Sequence, residues 1–177
     1  ISLDEYQIKR VPIISRLYFT PSPGYMLVGE IKYYPDSIDV AGPKEEIATI
    51  DHVQIPSDTV NNLSSTLNSI IKVFSNQTLV EYTPNQVAIN VDVQQISEKI
   101  IADIPVTIRD IPEKIRVFPS PQTVSLTVIG GLQRIGTLKP EEIEVSISFN
   151  DWSSQKQFYE PKVNLPMGLI AVSYTHL

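Results

Sequence analysis

The sequence has no cysteine, which excludes disulfides, thiol nucleophiles and thiolate metal ligands. Histidine occurs only at His52 and His176. Metal centres usually take three or four His, Cys or carboxylate ligands, and no such cluster stands out along the chain. Cations are outnumbered: 14 Lys and Arg against 20 Asp and Glu leave a net charge of −6. Phosphate binding needs a basic face, so this balance argues against nucleic acid and against docking on an anionic membrane surface. No apolar run approaches the roughly 18–20 residues of a membrane-crossing helix, and no leader-peptide pattern is visible. The chain starts at Ile1 without methionine and reads as a fragment of a longer protein. Glycine is scarce too, 7 against 14 prolines, so proline is the main punctuation and segments should be short.

What is present is a chain of 177 residues, 42% hydrophobic and 19% charged, which suits one or two small globular domains. Val, Ile, Thr and Ser dominate while good helix formers are sparse, a bias toward β structure. In the stretch 119–138, Val124, Leu126 and Val128 alternate with Ser125, Thr127 and Ile129, which predicts a strand. Gly130-Gly131 breaks it, and Leu132, Ile135 and Leu138 follow at helical spacing. The same device occurs earlier: Ile38 and Val40 lead to Gly42-Pro43, then to a short helix over residues 44–50. Ile47-Ala48-Thr49-Ile50 answers Ile135-Gly136-Thr137-Leu138, Asn62-Leu63-Ser64-Ser65 answers Asp151-Trp152-Ser153-Ser154, and Lys72-Val73 answers Lys162-Val163. Offsets of about 88–90 positions that grow along the chain indicate an old tandem repeat with small loop insertions.

The expected fold is therefore mainly β: two small repeats, each with roughly six short strands, one short helix and a barrel-like or twisted sheet core, arranged end to end. Residues 1–9 read as the tail of a preceding segment, 10–95 as the first repeat and 96–171 as a second, C-terminally truncated one. Residues 172–177, Val-Ser-Tyr-Thr-His-Leu, match one translated frame of a transposase end sequence used in shotgun libraries and read as an adapter remnant. Truncation should leave the second repeat with an unpaired sheet edge where the first has its closing strand. The core should form from Ile38, Val40, Ile47, Ile50, Leu63, Val73, Val87 and Ile89, and from Val124, Leu126, Ile135, Leu138, Trp152 and Val163.

Catalytic candidates are few, and each has a plainer explanation. Asp51-His52 is a lone pair just after the first helix and reads as a solvated loop. Glu141-Glu142-Ile143-Glu144 reads as a polar lead into the strand Ile143, Val145, Ile147, Phe149 rather than an acid–base pair. Gly130-Gly131 lacks both phosphate-loop patterns and reads as a tight turn requiring unusual φ or close approach. Asn62-Leu63-Ser64 and Asn76-Gln77-Thr78 match the glycosylation sequon, a pattern common by chance and of little meaning if the source is bacterial. Trp152, opposite Leu63 in the repeat, reads as a core anchor rather than a ligand platform. No catalytic, cofactor-binding or metal residue is assigned, no cofactor is expected, and no small-molecule substrate is evident.

The order of these elements resembles the YbbR-like repeat of bacterial membrane-anchored proteins, the CdaR group. The elements are Pro-x-x-Ile-Asp-Val-x-Gly-Pro at 35–43, Pro-x-x-Val-Ser-Leu-x-Val-x-Gly at 121–130, Ile-x-Thr-Ile/Leu, the Asn/Asp-Leu/Trp-Ser-Ser turn, and Thr83-Pro84-Asn85-Gln86-Val87-Ala88-Ile89-Asn90-Val91. The second copy departs by two extra residues between proline and glycine, consistent with a β-bulge. The resemblance implies repeats on the extracytoplasmic side of the membrane, held by a transmembrane helix absent from this fragment. It also implies a non-enzymatic regulatory role toward a membrane diadenylate cyclase, which makes cyclic di-AMP, or toward a cell-envelope component. The alternative is a structural spacer or adhesin-type β-repeat module of the cell surface with no cyclase partner.

Overall fold

A computed structural model describes residues 5–153 and 158–175. The chain is mainly β and divides into two compact units, Ile1–Val93 and Gln94–Leu177. The first unit contains strands β1 (Tyr6–Pro21), β2 (Tyr25–Leu27), β3 (Lys32–Tyr34) and β4 (Ser37–Pro43), helix α1 (Lys44–Ala48), and strands β5 (Val53–Leu63), β6 (Leu67–Lys72), β7 (Glu81–Thr83) and β8 (Gln86–Val91). The second is built from β9 (Val93–Arg109), β10 (Thr123–Gly131), α2 (Leu132–Thr137), β11 (Glu144–Ser148), β12 (Lys162–Asn164) and β13 (Leu169–Thr175).

Period-two alternation sets the faces of the first unit. Along β1, Val11, Ile13, Leu17 and Phe19 turn to the core while Arg10, Arg16, Tyr18 and Thr20 face solvent. One sheet runs β5-β1-β4-β7, with β1 antiparallel to β4 and parallel to β5. A second runs β3-β8-β6, antiparallel throughout. Val11, Ile38 and Val40 of the first sheet share one core with Val87, Ile89 and Val91 of β8, and Ile47 of α1 joins it. The helix is short because it has only to carry the chain from β4 to β5. Glu45 and Glu46 in its first turn suit the helix dipole.

In the second unit the strands lie in the order β12-β11-β9-β10-β13. Here too a long strand, β9, pairs antiparallel with a glycine-ended strand, β10, that passes directly into a short helix. A strand then returns parallel to the long one, as β11 does to β9. A further strand flanks the glycine-ended strand: β7 on β4, β13 on β10. Among the described residues, no strand of the second unit takes the place that β8 has in the first.

Several expectations need correction. Residues 6–9, read as a tail, begin β1 and pair with residues of β4, and the units meet at Val93/Gln94. Of the closing strands expected to be missing from the second unit, the one beside β10 is present, because β13 pairs with β10 from Gly130 back to Ser125; a counterpart of β8 is not among the described residues. Val172–Thr175, part of the supposed adapter remnant, lie in this strand, and 176–177 fall outside the described residues. Trp152 is 59% exposed. Its counterpart Leu63 is buried at the end of the eleven-residue β5, whereas β11 stops after five residues and a 3-10 turn, Phe149–Asp151, follows. Of the other core candidates, Ile50 and Val163 are half-buried and the rest are buried.

Gly42 and Gly130 have matched surroundings, but neither has a left-handed φ. Close approach explains both. A Cβ at Gly42 would sit 2.9 Å from the Leu79 carbonyl oxygen and 3.2 Å from Ile47 Cγ2. At Gly130 it would meet the Leu169 side chain, with Ile135 Cγ1 at 3.2 Å and the Gly168 carbonyl oxygen at 3.3 Å. Backbone yields less readily than the tip of a leucine. Gly42→Ala should therefore destabilise by about 1–3 kcal/mol, as overpacking does, and Gly130→Ala by less. Denaturant melts of the two variants give the comparison, and the reverse order would contradict this account.

Candidate interaction surfaces

The residues with chemical potential are held in ordinary structural contacts. Asp51 pairs with Lys9 at 3.2 Å, and His52 beside it is exposed. Both line a shallow hollow of about 380 Å³ with Phe74 and Tyr82. Among the described residues, no group of three or more His, Asp or Glu is placed to hold a metal. The backbone N–H groups of Gln133 and Arg134, at the start of α2, donate to Gln94 Oε1 at 3.0 and 3.4 Å, which explains how the turn after Gly130-Gly131 is satisfied. Asn62, with φ of 59°, and Asn76 are both exposed.

The acidic lead into β11 is tied down by cations. Glu142 accepts from Arg134 Nη2 at 3.0 Å and from the Lys139 backbone N–H at 3.1 Å. Glu144 pairs with Arg109 and accepts from Asn164 Nδ2 at 3.3 Å. The Arg134 hydrogen bond, then the Lys139 N–H, holds the Glu142 carboxyl below its usual value; Arg109, then Asn164, does so for Glu144. The folded state thus favours the ionised forms. Their stabilisation is present above the ordinary glutamate range and is lost as pH falls through the lowered values. Arg134→Ala should move Glu142's titration up toward the ordinary range and leave Glu144 in place. A carboxyl-carbon NMR titration reads this directly, and an unmoved Glu142 would show that Arg134 is not the cause.

The larger features are apolar. Since Val87, Ile89 and Val91 of β8 face inward, Ala88 and Asn90 face out. Ala88 lies between Tyr34 on β3 and Ile70 on β6, and Asn90 lies between Lys32 and Asn68. The outer face of this sheet therefore carries one apolar row beside one polar row, in which Asn90 Nδ2 donates to Asn68 Oδ1 at 2.7 Å. Tyr34 is 80% and Ile70 67% exposed. The adjacent isoleucines Ile70 and Ile71 signal this in sequence, because neighbours on a strand cannot share a face. Which strands bring Tyr34 alongside was not readable from local pattern.

The second unit has an apolar cavity of about 740 Å³. Val106 and Ile108 of β9, Val124 of β10 and Ile147 of β11 line it, and residues 117–121 and 158–161 flank it. Trp152 stacks on Phe149 at its margin, ring centroids 5.8 Å apart and planes within 5°. Tyr159 Oη accepts from the Ser153 N–H at 2.9 Å and donates to the Ser153 carbonyl at 2.8 Å, fixing that wall. Phe158, also on the lining, is 82% exposed.

Residues 11–91 match the family described as YbbR-like protein. Among solved structures, a structural-genomics target from Streptococcus thermophilus, determined in solution, is 21% identical, with a TM-score of 0.41 over 54% of this chain and 90% of that one. The crystal structure of a YbbR-like protein from Streptococcus pneumoniae TIGR4 is 11% identical, with a TM-score of 0.40 over 100% of this chain and 99% of that one. No curated protein matches the chain.

Proposed function

From the match of residues 11–91 to the YbbR-like family, we propose that this chain is a non-enzymatic, extracytoplasmic interaction module of a membrane-anchored protein, and that it modulates a membrane diadenylate cyclase. The YbbR-like family is not known as an enzyme family. The observation that carries the reading is the exposed row Tyr34–Ala88–Ile70 on the matched unit. An interaction module needs apolar surface that its own core does not use, and aromatic side chains are enriched at such contacts. The net charge of −6 favours a protein surface over acidic headgroups as the thing contacted.

The test is to tether the full chain by a transmembrane helix to the outer face of a cell expressing a membrane diadenylate cyclase, and to measure cyclic di-AMP. The level should change with the intact chain and return to that of the cyclase alone with the double variant Tyr34→Ser, Ile70→Ser. A level that the intact chain leaves unmoved would contradict the reading and favour a structural spacer. An equal effect from the double variant would show that this face is not the one used.

A further inference from the structure

We propose that the cavity of the second unit is a strand-receiving slot, the seat of an extended segment of the β8 type arriving through a short turn directly after β13. The inference concerns how the second unit closes and is independent of the proposed function. In the first unit, β7 flanks β4, the chain turns at Pro84-Asn85, and β8 then lies between β3 and β6. There it inserts Val87, Ile89 and Val91 into the core at 0%, 2% and 1% exposure.

The second unit reproduces the surroundings of that strand. β13 flanks β10 as β7 flanks β4, and Gly130 meets the same kinds of group as Gly42: an isoleucine from the helix, a backbone carbonyl (Leu79 or Gly168) and the aliphatic side chain of the residue after it (Val80 or Leu169). Residues 117–121 precede β10 as β3 precedes β4. Residues 158–161 precede Lys162-Val163 as β6 leads to Lys72-Val73. The cavity lies between these two stretches, over Val106, Val124 and Ile147, which is the position β8 holds in the first unit. The occupant that fits is therefore an extended chain with aliphatic side chains at alternate positions turned inward and polar ones outward. A cavity of about 740 Å³ also falls within the roughly 300–1,000 Å³ range of small-molecule sites, so an apolar ligand is the rival.

Trp152, the chain's single tryptophan, stands on the cavity margin and reports its filling. In the full chain, residues 176–177 are replaced by a copy of the sequence from Pro84 to Val91, so that β13 is kept whole. A control carries the same extension with serine at the positions copied from Val87, Ile89 and Val91. The aliphatic extension should shift Trp152 emission to the blue, remove most of its acrylamide quenching and acquire slowly exchanging amides of its own. The serine control should behave as the parent chain does. Equal behaviour of the two extensions, no protection by either, or protection that appears only as the chain dimerises would overturn the proposal. Should the extended chain fail to fold, the same eight-residue sequence is added to the intact chain as a peptide, and failure to protect Trp152 at millimolar concentration overturns it equally.

Discussion

Ile89→Asp should abolish the cooperative unfolding of the first unit, while Ala88→Asp, one residue away, should leave it within about 0.5 kcal/mol of the parent. The two residues sit on opposite faces of the same strand. Ile89 is 2% exposed and lies in the middle of β8 between Tyr33 and Ser69, so its side chain is surrounded by the core that both sheets share. A carboxylate there loses its hydration with no partner to replace it. Burying an unpaired charge belongs to the short list of changes that exceed about 4–5 kcal/mol, comparable to the roughly 5–15 kcal/mol that holds a whole domain together. Ala88 faces solvent between Tyr34 and Ile70. A carboxylate at that position stays hydrated but places a charge in the middle of the apolar row, so if the chain acts on the cyclase as proposed, Ala88→Asp should abolish that action without unfolding the protein. Thermal melts followed by far-ultraviolet circular dichroism separate the two cases. Equal melts for both variants would mean that β8 does not alternate as described.

Ile104→Ala should destabilise the second unit by about 2–5 kcal/mol, the range for deleting buried methylenes from a core that cannot collapse around the gap. Ile104 is fully buried on β9, paired with Val124 of β10. Among the described residues, the buried core of this unit comprises nine, against thirteen in the first, so each has fewer neighbours able to shift into the space. Trp152 fluorescence follows this unit selectively, since it is the chain's only tryptophan. A change in stability below about 1 kcal/mol would show that the second unit has no tightly packed core at β9.

Much of this architecture was legible in the sequence because it is written in local periodicity. Period two over residues 124–129 gives β10, and the helices expected at 44–50 and 132–138 occur as Lys44–Ala48 and Leu132–Thr137. The two glycines were recognisable as paired turns, but close approach rather than positive φ is the cause, and close approach depends on Leu79 and Gly168 arriving from elsewhere in the chain. Non-local pairing accounts for the rest. Nothing near β1 announces its parallel partner β5, and nothing near Tyr34 announces Ala88 and Ile70. Trp152 was misplaced because its similarity to Leu63 is one of position along the sequence pattern alone. Burial of Leu63 depends on β5 running its full length, and β11 does not.

The first unit closes its core with β8, and the second has no such strand among its described residues. Residue-resolved amide hydrogen exchange on the full chain tests this most directly, because protection reports the free energy of local opening. The account predicts that amides in 87–91 exchange more slowly than those of β11 and β12, which border the open cavity, by on the order of 100-fold, or about 2.8 kcal/mol at roughly 1.4 kcal/mol per tenfold. Equal protection in the two units, or greater protection around the cavity than in β8, would contradict it.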